Sequence, residues 1–123
     1  MAKNHESEDF IQMKFMNWIR KKAREDERFK VAHHIPNGGS RSRSEGARFK
    51  ILGVVAGIPD VFIPIPNDTY HGLYIEFKTE VGRVTPVQKE VHKVLEENGY
   101  NVVVCRSAEE AIDAVERMNY ERL

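Results

Sequence analysis

Asp60, Glu76 and Lys78 stand where an ordinary pair of strands would carry apolar side chains. The first closes Gly57-Ile58-Pro59-Asp60, and Glu76-Phe77-Lys78 begins sixteen positions later. Read as a strand, Gly72 to Lys78 puts Leu73, Ile75 and Phe77 on one face and Tyr74, Glu76 and Lys78 on the other. The run from Val61 to Ile65 is β-branched and aromatic and reads as a partner strand. A turn through Pro66-Asn67-Asp68-Thr69 then returns Asp60 to the side of Glu76. Two carboxylates and an ammonium converge. Close, buried carboxylates repel, and at least one pKa rises unless a divalent cation between them keeps both ionised. Hard oxygen donors suit Mg²⁺ or Mn²⁺, which can take a phosphodiester oxygen and lower the pKa of an attacking water. Lys78 would orient that water or neutralise charge developing on the phosphate. The chemistry implied is hydrolysis of a nucleic-acid backbone; the competing reading is a strand edge carrying a solvated Glu/Lys pair.

These residues need a scaffold, and the chain supplies an α-β-α-β-β-α-β-α order without repeats. Ser7 is a plausible N-cap for a first helix whose apolar stripe is Phe10, Ile11, Phe15, Trp18 and Ile19. Glu8 and Gln12 share one flank of it. Glu8 is either a third carboxylate for the site, if the helix crosses the sheet near Asp60, or a complement to the helix dipole. The charged stretch from Lys21 to Lys30 reads as the solvated helix end, and Phe29 to Ile35 as a short strand ending at the turn Pro36-Asn37-Gly38-Gly39. Neighbouring strand residues point to opposite faces, so His33 and His34 cannot easily share one metal; one partly buried and one exposed histidine is expected.

Thr85-Pro86-Val87-Gln88 carries three helix-start devices: a capping threonine, proline at the first position and a glutamine that completes a capping box. Val87, Val91, Val94 and Leu95 give that helix its stripe, and Asn98-Gly99 ends it. Tyr100 to Cys105 reads as a buried strand and Ser107-Ala108-Glu109-Glu110 as a second capping box, with Ala111, Ile112, Ala114 and Val115 inward. The fold class expected is α/β, a small mixed sheet flanked by helices. The strands at Leu73 and Val102 should run parallel with a right-handed connection.

A chain of 123 residues makes one domain with one core, here taken as 1–123 with residues 1–6 a flexible tail. Nineteen basic and nineteen acidic residues cancel, yet residues 1–50 hold twelve basic against seven acidic and residues 51–123 the reverse. One end can therefore offer phosphates a favourable surface. Arg41, Arg43, Arg48 and Lys50, among serines, suit phosphate contacts better than a merely solvated loop and helix. Asn37 and Gly38 either let backbone approach a phosphate or form a plain turn. A lone cysteine, Cys105, excludes an internal disulfide and reads as a buried strand residue, and no apolar run is long enough for a signal peptide or membrane span. A cytoplasmic location is expected, the host's cytoplasm if a phage encodes the chain.

The P-D and E-x-K spacing resembles the PD-(D/E)xK nuclease superfamily. An ordered series of motifs resembles one branch of it, the VRR-NUC (virus-type replication and repair nuclease) domain, from about Ser7 to Met118. The series is Glu8 and Gln12, Pro36 to Gly39, Gly57 to Asp60, Gly72 to Lys78, Gly82 to Gln88, and Gly99 to Ser107. The resemblance implies a restriction-endonuclease-like fold and a metal-dependent endonuclease. Stand-alone members, typically from phages, look like homodimers acting on branched DNA such as Holliday junctions. It also implies that Asp60, Glu76, the Phe77 backbone carbonyl and the helix-one Glu8 hold the metal, and that Gln88 steadies the lysine or the attacking water. A helicase or other replication factor is a candidate partner in delivering DNA. Two alternatives stay open: a module of the same fold that binds branched DNA without cutting, and a metal-dependent hydrolase of small phosphates.

Overall fold

The computed structural model describes residues 6–36 and 43–120, the side chains of Arg43 and Ser44 excepted. Along the chain run α1 (Glu8–Glu25), a 3-10 turn (Glu27–Val31), β1 (His33–His34), α2 (Arg43–Ile51), β2 (Val61–Ile63), β3 (Leu73–Phe77), α3 (Pro86–Glu97), β4 (Asn101–Cys105) and α4 (Ala108–Arg117). The strands form one sheet in the order β1-β2-β3-β4. The first three are antiparallel, and β4 joins β3 in parallel after the α3 connection.

Ser7 starts α1 by accepting a hydrogen bond from the Phe10 N–H at 3.1 Å, which satisfies one of the amides a helix leaves orphaned at its start. Ile11, Phe15 and Ile19, four apart, are the buried stripe. Phe15 meets Phe77 of β3 with ring centroids 5.7 Å apart. Each such side chain contributes about 1.5–3 kcal/mol by leaving water. α1 and α4, the latter through buried Ala111 and Val115, belong to the same core as Leu73, Ile75 and Phe77. On the opposite face of β3, Tyr74 stacks on Phe62 and Glu76 meets α3.

Several expectations change. Phe29 is buried, but it lies in the 3-10 turn and not in a strand, because Asp26 caps that turn by accepting from the Arg28 N–H. Only His33 and His34 pair with β2, and both are exposed. Each ring Nδ1 lies near a backbone carbonyl, of Val31 and Asp60 respectively, at 2.8 and 2.7 Å. Phe10 is exposed under the Lys14 ammonium. On α3 the valine stripe is not the buried face: Val87 and Val94 are exposed, and His92 is the buried residue. β4 is half-buried except at Cys105 because it is an edge strand. Ser107 accepts from the Glu110 N–H at 3.1 Å and caps α4. Of the supposed tail, Glu6 pairs with Lys14 at 2.6 Å, and residues 1–5 lie outside the described residues.

Candidate active site

The β2–β3 register brings the acids together. Val61 lies across from Ile75, and one further step along the antiparallel pair sets Asp60 opposite Glu76, on the face away from the core. Asp60 is held by its neighbours on both sides. Its carbonyl accepts from the Ile35 N–H at 2.7 Å, and its Oδ2 accepts from the Phe77 N–H, also at 2.7 Å. The Lys78 N–H turns the other way, to the Cys105 carbonyl at 3.0 Å. Since a strand residue points its N–H and C=O to the same side, the Phe77 carbonyl faces the Asp60 edge.

Glu76, Lys78 and His92 are only 3%, 7% and 8% exposed. Burial first, then the Asp60 charge and a hydrogen bond to Asp60, push the Glu76 carboxyl up to about 8; Lys78 pulls it down and Glu8 adds a smaller push up. The donor set of two opposed carboxylates and a carbonyl suits a hard divalent cation that keeps several waters. Such an ion would relieve the repulsion that raises Glu76. Among the described residues no three His, Cys, Asp or Glu side chains form a metal cage on their own. Glu8, exposed at the start of α1, acts on Glu76 through its charge.

α3 closes the site from above β3. The capping box is complete: Gln88 N–H donates to the Thr85 hydroxyl at 3.2 Å, and Gln88 Oε1 accepts from the Thr85 N–H at 2.9 Å. An N–H can only donate, so the cap fixes which end of the amide is oxygen. The other end, Nε2, lies 3.4 Å from Glu76 Oε2. Capping and the site therefore do not compete for Gln88; they use opposite ends of it. His92 Nε2 lies 3.4 Å from Glu76 Oε1, and burial holds its pKa below the usual histidine value. Sequence reasoning missed His92. Its signal was present: Gln88 and His92 are four apart on a helix otherwise read by its valines.

Two further features position these elements. A side chain on Gly57, whose φ is +89°, would meet Val87 and Val91 of α3 at 3.0 Å, so the glycine before Asp60 lets the helix dock. The Arg106 guanidinium donates to the Thr79 and Gly82 carbonyls at 2.8 and 2.6 Å and grips the loop between Lys78 and α3. Of the residues expected to meet DNA, Arg48 and Lys50 are exposed on α2; Asn37, Gly38, Arg41 and the side chain of Arg43 lie outside the described residues. A groove of about 720 Å³ runs between α1 and β1, lined by Gln12, Arg20, Lys30, His33 and His34 and also by Asp9. Among the described residues no helix is long and apolar enough to cross a membrane.

The family model for the VRR-NUC domain matches residues 1–109. A solved structure described as a VRR_NUC domain protein is 33% identical, spans 92% of this chain and 88% of its own, and superposes with a TM-score of 0.78. No curated protein matches the chain.

Proposed function

The chain belongs to the VRR-NUC domain family and carries a nuclease-type domain; from that premise we propose that it is a metal-dependent endonuclease hydrolysing DNA phosphodiester bonds. The observation that carries this reading is the almost fully buried Glu76, hydrogen-bonded to Asp60 and sharing its strand face with Lys78. Burying one acid against the charge of another is costly for a scaffold, and a bound Mg²⁺ or Mn²⁺ gives the pair a purpose. When bound, the ion would polarise a phosphate oxygen and supply a more acidic water. Asp60, Glu76 and the Phe77 carbonyl would hold it, with Glu8 completing the negative charge nearby. Lys78 would orient the attacking water or stabilise the charge growing on the phosphate. Gln88 steadies Glu76.

Arg48 and Lys50 on α2, with Asn37, Gly38, Arg41 and Arg43, are the residues proposed to hold the phosphate backbone, and the α1–β1 groove with Arg20 and Lys30 is a path for the same strand. Branched DNA such as a Holliday junction is the proposed substrate. A homodimer would supply the two centres that symmetric cutting requires, since one chain has one site. Exposed Ile51 at the end of α2, with Leu52 and Val55 just past it, offers that second copy an apolar surface. An elution mass of a single 14.2 kDa chain would remove the dimer from the proposal.

The decisive experiment is a panel of labelled linear and branched DNAs with Mg²⁺, Mn²⁺ or EDTA, cut by the wild type and by Asp60→Asn. Asparagine keeps an acceptor for the Phe77 N–H, so the fold should persist while cutting falls roughly 100-fold or more, as when a metal ligand is lost. Cutting that survives both EDTA and Asp60→Asn would refute the proposal.

A further inference from the structure

Glu76 presents two carboxylate oxygens, and α3 approaches both. Gln88 Nε2 stands 3.4 Å from Oε2 and His92 Nε2 stands 3.4 Å from Oε1. The two donors are one helical turn apart on one flank, and the amide of Gln88 is already oriented by the Thr85 cap. With a cation holding Glu76 ionised, its carboxylate can only accept, and in that state the proton of the imidazole belongs on Nε2. The imidazole is nearly buried, at a position where an apolar residue would cost less to bury. Core packing therefore does not account for His92; its contact with Glu76 does.

We propose that His92 is a positioning residue for the nuclease centre: with Gln88 it clamps the Glu76 carboxylate, stops it rotating, and leaves it directed across the strand pair toward Asp60. The inference rests on the metal-dependent reading above. His92 touches neither DNA nor the ion in this role; it acts through Glu76. Partners that orient a metal-binding side chain typically change metal affinity or activity by about 10- to 100-fold when removed.

The test compares wild type, His92→Leu and His92→Gln. Mn²⁺ affinity is read without DNA, from the electron paramagnetic resonance signal of the free ion, and kcat for branched-DNA cleavage is read at saturating Mn²⁺. Urea unfolding in EDTA reports on the fold. Leucine fills the space without a donor, so His92→Leu should unfold no earlier than wild type yet bind Mn²⁺ roughly tenfold or more weakly, with a lower kcat. Glutamine can place an Nε2 donor near the same point, and His92→Gln should recover part of both. Wild-type Mn²⁺ affinity in His92→Leu would overturn the positioning role while leaving the nuclease reading intact. Equal losses in both variants together with an unstable fold would overturn it as well. A wild type that neither binds Mn²⁺ nor cuts would overturn the nuclease reading and this inference with it.

Discussion

Replacing Glu76 by glutamine should change how stability depends on pH. The Glu76 carboxyl moves from an ordinary 4.5 to about 8 in the folded chain, chiefly through burial and then through Asp60. The raised value fixes the sign. Between those two values the folded state holds a proton that the unfolded state has released, so unfolding becomes easier as pH rises through this window. At about 1.4 kcal/mol per unit for a fully displaced proton, the metal-free protein should lose about 3 kcal/mol between pH 5 and pH 8 on account of this group. Glutamine carries no such proton, so the variant should lack this component and, at pH 8 in EDTA, be the more stable of the two. Mn²⁺ at millimolar concentration should restore stability to the wild type and leave Glu76→Gln little changed, because binding to the folded state alone stabilises it by mass action. Urea unfolding followed by circular dichroism at several pH values, with EDTA and with Mn²⁺, measures all of this. Parallel pH curves for the two proteins would show that the Glu76 carboxyl does not carry the strain assigned to it, and the case for a cation between the acids would lose its electrostatic basis.

Gln88→Glu separates the two ends of one side chain. A carboxylate can still accept from the Thr85 N–H, so helix content should hold, but a third negative group then sits where an amide donor faced Glu76. Cleavage should drop roughly tenfold or more with no loss of circular-dichroism signal, and an unchanged rate would exclude Gln88 from the site. Gly57→Ala places a methyl at positive φ and within 3.0 Å of Val87 and Val91. A loss of about 1–3 kcal/mol in unfolding free energy, together with weaker Mn²⁺ binding as α3 lifts, is expected, and a neutral substitution would contradict the docking geometry.

Much of the site could be read from local pattern. The alternation in Leu73 to Phe77 and the strand at Val61 placed Asp60 beside Glu76, because a hairpin register is a short-range consequence of side-chain period and turn length. The caps at Ser7, Thr85 and Ser107 were equally local. What failed had one cause far along the chain and one close by. The valines of α3 looked like a core stripe, yet Val87 and Val94 are exposed and it is His92, against the buried Glu76 of β3, that turns inward. Phe29 was assigned to a strand on alternation, whereas the Asp26 cap wound it into a turn that still buries the ring. Asn37, Gly38 and Arg41 remain expectations from sequence, lying outside the described residues.

The grip of Arg106 on the carbonyls of Thr79 and Gly82 has a consequence for anyone mapping this protein by mutation. That single guanidinium spans the only covalent link between Lys78 and the helix carrying Gln88 and His92, so it sets their relative alignment from behind. Its removal would disturb that alignment and lower cutting from a distance, so a screen scored by activity alone would miscount a tether as a member of the reaction centre.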